Sequence, residues 1–340
     1  MRGEGTGLGP EEFRPRYHPS GFDGPLRSVL EDLRAGRWLS MRELLAGTGD
    51  DWELRTARTQ VLGAVAAGSD VVETWLTEQP ESAEARLMHA RVAVERAERA
   101  RRVNHREAAP LEAEAREACL TAAGITPEDP VPWVCLLALS PLDPRQVRAE
   151  HQQPPPEPML PYGPWGLLQR VRERDRYNRE AFHRVLHFLH VRSGGSPAEG
   201  IDFARWVASW APGGSALLVV PLYAQVEHLR RQRAQGLKVP LSRPRWSGDP
   251  AVWDAERALE KWFTRAPPER RSLLDLNYLA HALWAAVRFR EAARVFEALG
   301  PYATRLPWAY LTDDADQPEL AVRQFVRARA HVLYYAGESP

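Results

Sequence analysis

Apolar residues recur along this chain at intervals of three and four, the spacing that puts them on one face of a helix. Leu26, Val29, Leu30 and Leu33 follow Pro25, a residue suited to a first helical turn, and Trp38, Met41, Leu44 and Leu45 follow the break at Ala35-Gly36. The pattern predicts further helices over 51–67, over the short run after Asp70 (read as an N-cap, with Val71, Val72, Trp75 and Leu76), and over 83–102, 110–124 and 131–139. Beyond a proline-rich interruption it resumes near Trp165, then over 179–191, 201–211, 215–235, 250–265 and 318–335. No run alternates with period two, and no Asn-Gly or Asp-Gly turn joins strand-like runs. Leu217 to Val220 are strand-like only locally.

Between 272 and 299 the pattern tightens into two short amphipathic helices. Leu273, Leu276, Leu279, Ala280 and Leu283 mark the first; Phe289, Ala292, Val295, Phe296 and Leu299 mark the second. Small residues interleave with bulky ones, so the helices can approach closely. Such a hairpin cannot bury both faces alone and stacks on others like it.

Breakers divide the chain. Residues 1–24 are rich in Gly and Pro and predict an irregular arm that Phe13, Tyr17 and Phe22 pin to the body. Pro154, Pro155, Pro156, Pro158, Pro161 and Pro164 forbid a helix and favour an extended path. The organisation expected is therefore an N-terminal helical lobe over 25–152, a linker or surface strap over 153–164, and a C-terminal helical lobe over 165–340.

The hairpin resembles the tetratricopeptide-repeat family in a degenerate form. Leu276, Leu279-Ala280 and Leu283 stand where that family packs its first helix, and Ala292, Phe296 and Leu299 where it packs the second. Leu276 and Leu283 replace the usual aromatics, Val287 takes a position where a small residue is common, and Pro301 arrives early. Echoes occur at Gly36-Arg37-Trp38 with Leu44-Leu45-Ala46, at Pro80 with Ala83, Leu87 and Ala90, and at Phe203-Ala204, Val207-Ala208 and Pro212. The resemblance implies an all-α superhelix of stacked hairpins with a concave protein-binding surface.

Composition narrows the function. The 340 residues carry no formal net charge, with 45 basic and 45 acidic side chains, which argues against a general binder of nucleic acid or membrane surfaces. Lys238 and Lys261 are the only lysines. The arginine excess, with abundant Ala, Pro and Gly, is the bias that a GC-rich bacterial genome, such as an actinobacterial one, imposes. Cys119 and Cys135 form no CxxC unit. With no apolar leader and no run of about 18 apolar residues, the expected location is the cytoplasm.

Chemistry-bearing constellations are few. His183, His187 and His190 fall within about 60° on one helix face and offer imidazoles to a divalent metal, the basis of an alternative function as a helical enzyme or metal-binding accessory protein. Only one Glu-x-x-His is present, at Glu180 and His183, where di-iron bundles use two, so packed or hydrogen-bonded histidines are the favoured interpretation and no cofactor is expected. Arg170, Arg172, Arg174, Arg176, Arg179 and Arg184 lie near Trp165, Tyr177 and Phe182, a mixture that can bind single-stranded nucleic acid or phosphates; interleaved Glu173, Asp175 and Glu180 favour instead a solvated helix face laced with ion pairs. The 12 tryptophans read as fillers between helices. Gly194-Gly195-Ser196 and Gly213-Gly214-Ser215 lack a Walker lysine, and Asp313-Asp314-Ala315-Asp316 lacks the glycine and glutamate of a calcium loop. The function expected is a scaffold or adaptor for a peptide or protein partner. Its contacts would be the outward positions of first helices, Tyr223, Gln225, His228, Asn277 and His281, where amides and a phenol can meet an extended backbone.

Overall fold

A computed structural model describes residues 13–234, 249–312, 314 and 316–337. Among them the chain is all-α, as the periodicity predicts, with fifteen α-helices and no β-strand. The first eight are α1 (Gly24–Arg34), α2 (Leu39–Thr48), α3 (Trp52–Ala66), α4 (Val71–Glu78), α5 (Ala83–Arg102), α6 (Ala108–Ile125), α7 (Val131–Leu139) and α8 (Trp165–Arg172). They are followed by α9 (Arg179–Val191), α10 (Pro197–Trp210), α11 (Val220–Ala234), α12 (Asp249–Ala258, extended by a π turn over Leu259–Phe263), α13 (Leu273–Ala285), α14 (Phe289–Leu299) and α15 (Pro318–Gly337). No described helix is long and apolar enough to cross a membrane.

Short polar side chains start many of these helices by accepting an orphan amide. Asp23 accepts from Leu26 N (2.9 Å), Asp51 from Leu54 N (3.2 Å) and Ser82 from Ala85 N (3.2 Å). Asp70 does not do so: it stands at the N-cap of α4, but its side chain makes no capping bond. The helix expected from Ser215 opens as a 3-10 turn over Ala216–Val219, with α11 beginning only at Val220 and Pro221 in its first turn. That placement spares α11 the break that an interior proline imposes. Gln235 lies outside the described residues, as do residues 1–12 of the expected arm.

The proline-rich segment is a strap. Gln153 and Gly163 exchange backbone hydrogen bonds of 2.9 and 3.1 Å, and Trp165 Nε1 donates to Pro161 O at 2.8 Å. Leu160 is buried while its neighbours Met159 and Tyr162 are exposed. The strap packs through Leu160 and Trp165 rather than through Tyr162. A Cβ on Gly163 would lie 3.2 Å from Trp165 Nε1 and 3.3 Å from Phe188, so a side chain there would crowd both rings.

The first described residues touch the C-terminal helical region. Arg16 N donates to Pro301 O (2.7 Å) and Ala303 N to Arg16 O (3.0 Å), while Arg27 Nη2 reaches Tyr302 Oη (2.7 Å). Phe22 meets the Tyr302 ring edge-on and Phe13 stacks on Phe325 of α15. Tyr17, the third expected pin, is exposed. Contacts also cross the strap: Arg270 Nη1 donates to Asp51 Oδ1 (2.8 Å), and Asn178 Nδ2 to Thr56 Oγ1 (3.0 Å).

The 272–299 hairpin is present as α13 and α14. Its turn is a Schellman closure: Arg288 N donates to Leu283 O (2.9 Å) and Val287 N to Trp284 O (3.1 Å). That closure puts Val287 at φ 63°, a left-handed conformation costly for a β-branched residue. Val287 is also exposed, so it loses little packing when truncated. Val287→Gly is therefore expected to raise stability by about 1 kcal/mol, read as a higher denaturation midpoint at unchanged slope. A lower midpoint would show that the valine side chain contributes more than its backbone costs.

Candidate functional site

A dense set of interacting polar groups lies along α9, between α5 on one side and α11 and α13 on the other. Its N-cap, Asn178, accepts from Ala181 N (3.0 Å) and donates to Asp175 Oδ2 (2.8 Å) as well as to Thr56. The first turn then presents Arg179 and Glu180 to opposite neighbours. A carboxylate suits this end of the helix, where orphan amides give a positive potential.

Glu180 faces α5. Arg91 Nη1 and Nη2 donate to its two oxygens at 2.8 and 2.7 Å, and Arg184, one turn on, donates to Oε1 at 3.0 and 3.1 Å. Arg184 also reaches Glu98 at 2.7 Å. Arg91 is 3% and Glu180 4% exposed. Burial by itself favours the neutral acid, but Arg91 and Arg184 outweigh it and hold the Glu180 carboxyl below its usual range. Gly63 on α3 leaves room for this arginine: a Cβ there would lie 2.9 Å from the Arg91 Cβ.

Arg179 faces the other way. Its Nε and Nη2 grip Asp275 of α13 at 2.6 Å each, and Nη2 reaches Tyr223 Oη of α11 at 3.1 Å. Tyr223 Oη donates to Asp275 Oδ1 at 2.6 Å. Burial, and next the Asp275 charge, push the Tyr223 phenol far above its ordinary range. Its ring stacks on Tyr278 with centroids 3.6 Å apart, and the His183 ring meets it edge-on at 4.4 Å. His183 Nε2 is buried without a hydrogen-bond partner. Burial, then the Arg179 charge, lower its pKa to about 3, so the imidazole is neutral near pH 7.

The three α9 histidines do not converge. His183 packs against α11, His187 is exposed, and His190 packs against Gly200 of α10, where a Cβ would come 2.4 Å from His190 Nε2. No group of three or more His, Cys, Asp or Glu among the described residues is placed to hold a metal ion. Cys119 and Cys135 are buried thiols, and burial, then a hydrogen bond with Cys135, raise Cys119 well above its usual value.

The outward positions expected on the hairpin turn out to be interior. Asn277 is fully buried: its amide donates to Leu273 O (2.8 Å) and its Oδ1 accepts from Trp308 Nε1 (2.8 Å). His281 is 3% exposed, with its ring edge-on to Trp308 at 5.5 Å. The reason is that α13 is enclosed by α11, α14 and α15 together with the turn carrying Trp308, so none of its broad faces meets water. Tyr223 is engaged with Asp275, Gln225 donates to Asp254, and His228 lies 2.8 Å from Gln232 Nε2. Of the acidic cluster, Asp313 and Ala315 lie outside the described residues, and Asp316 pairs with Arg305 at 3.1 Å.

Sequence reasoning missed Arg91, Glu98 and Asp275 as interior groups. A signal existed. Asp275 stands between Leu274 and Leu276 in a helix that is apolar on every side, and Arg91 stands among Met88, Ala90 and Val92. A charge in such a place must be buried and therefore needs a partner.

As chemistry, the seam is locked rather than poised. Tyr223 is held as a donor, Asp275 as an acceptor, and Arg179 is neutralised by Asp275, so proton transfer by any of them breaks a charged buried contact. No family model matches the chain, and no curated protein or solved structure matches it either.

His183 gives a pH signature. Its folded pKa, about 3, lies below the ordinary value of about 6.5, so only the unfolded chain takes up this proton in mild acid. The contribution is complete above about pH 6.5 and declines towards pH 3 by at most about 1.4 kcal/mol per pH unit. His183→Gln is expected to make stability fall less steeply between pH 6 and 4. An unchanged slope, or a His183 ring signal titrating near its ordinary value by NMR, would contradict this burial argument.

Proposed function

We propose that this protein is a scaffold or adaptor that binds a peptide or protein partner, built as a degenerate tetratricopeptide-like array of helical hairpins and acting in the cytoplasm. The observation that carries the proposal is the order of packing in the second half. Consecutive hairpins α9–α10, α11–α12 and α13–α14 bring first helix against first helix, through His183 on Tyr223 and Tyr223 on Tyr278. Helical-hairpin arrays present large, rigid side-chain surfaces in this way. The inner polar groups are consumed by structural pairs, so the partner surface is assigned to the outer face of the array and not to Asn277 or His281.

The test is affinity capture with the full chain, followed by identification of the captured partner, its separate purification and calorimetric titration. The expected outcome is saturable, stoichiometric association that leaves the partner's mass unchanged. A partner recovered in chemically altered form, or the retention of no macromolecule at all, would overturn the scaffold proposal.

A further inference from the structure

The arginine run between α8 and α9 divides into two sets. Arg170 and Arg174 share Glu173, at 4.0 and 3.7 Å, and both lie over the Trp133 ring. Arg174 also donates to the carbonyls of Pro127 and Arg170. Arg179 and Arg184 are bound into the interior seam. Only Arg170 and Arg174 form the ion-paired face that the interleaved acids predict; Arg179 and Arg184 are drawn inward by carboxylates of other helices.

Neither Arg172 nor Arg176 makes an ion pair with a described residue. The neighbouring carboxylates are already engaged, Glu173 with Arg170 and Arg174, and Asp175 with Asn178. The Arg172 guanidinium lies 5.2 Å from the centre of the Trp210 ring, with its Nε buried and without a hydrogen-bond partner. Its pKa is lowered by burial and then by the positive charge of Arg176. Arg176 is exposed and lies 5.7 Å from the Tyr177 ring, itself exposed and 6.3 Å from Trp210. The fold thus sets two like charges, four residues apart in the chain and within electrostatic reach of each other, on one aromatic shelf with no ion-pair partner among the described residues.

We propose that the shelf formed by Arg172, Arg176, Tyr177 and Trp210 is a docking site for an acidic peptide, with a carboxylate side chain held between the two guanidiniums and a neighbouring apolar residue laid on Tyr177. The assignment rests on the partner-binding role proposed above and specifies its ligand. Charge complementarity selects the anion: a carboxylate removes the repulsion between Arg172 and Arg176 and forms charge-assisted hydrogen bonds. The small extent of the charge favours a peptide over a single nucleic-acid strand. A strand needs a positive groove that tracks its backbone, whereas the neighbouring Arg170, Arg174, Arg179 and Arg184 are all paired with carboxylates.

The experiment uses the full chain and fluorescence anisotropy with three probes: a short labelled peptide of alternating Glu and Leu, its counterpart with Gln replacing Glu, and an oligothymidylate. The acidic peptide is expected to bind and the other two to bind at least tenfold more weakly. Arg176→Gln is expected to weaken the acidic peptide roughly tenfold, the effect of losing one charged hydrogen bond, without moving the melting temperature. Arg172→Lys, which keeps the charge but loses the fork, should weaken it less than Arg172→Gln. Equal binding of the Gln peptide, preference for the oligothymidylate, or indifference to Arg176→Gln would each overturn the shelf. A captured partner whose affinity ignores Arg176→Gln removes the shelf and leaves the scaffold standing. Failure of both capture and peptide binding removes both.

Discussion

Glu180 keeps its charge inside the protein, and the arrangement around it follows from that. Desolvating a carboxylate and a guanidinium costs several kcal/mol per ion, and the cost is offset only when geometry is good and the remaining donors are satisfied. Arg91 meets the condition with a two-pronged grip, and Arg184 adds a second cation while itself resting on Glu98. A slip of α9 by one residue along α5 would leave charges buried without partners. Hydrophobic contacts tolerate such a slip far better, because they have no direction.

The same turn of α9 fixes the second half of the chain. Arg179 points away from Glu180 and holds Asp275, which also accepts from Tyr223. Two adjacent residues therefore tie α5 on one side to α11 and α13 on the other. The contacts of Arg16 and Arg27 at residues 301–303 add a second link between the N-terminal and C-terminal helices. The space between α5, α9, α11 and α13 is filled by the protein's own paired charges. Outside that seam, Arg172 and Arg176 make no ion pair with a described residue.

Helices were legible because amphipathic spacing is a local property, but the caps were not: Asp70, read as one, makes no capping bond, while Asp23, Asp51 and Ser82 do. The strap was legible as a break, though its anchor was not: Leu160 resembles any other apolar residue between prolines. The candidate site was the least legible. Its pairs join residues far apart in the chain, such as Arg91 with Glu180 and Arg179 with Asp275, and a single charge on a helix looks the same whether it meets water or a distant partner. Asn277 and His281 failed for the same reason, since what covers α13 is the Trp308 turn and α15, which no pattern within α13 announces. The solvated, ion-paired face expected of the arginine run is found at Arg170 and Arg174, whereas Arg179 and Arg184 turn inward to partners that include the distant Asp275 and Glu98, and Arg172 and Arg176 make no ion pair with a described residue.

The claim that one buried turn of α9 holds α5 to α11 and α13 is tested most directly by native-state hydrogen exchange on Glu180→Gln. Removing this charge leaves Arg91 buried without its counter-ion, a loss of about 3–5 kcal/mol. The slowest amides of α5, α9 and α13 are expected to lose that protection together, by the same free energy. A loss confined to the first turn of α9, with α5 and α13 exchanging as before, would contradict the account.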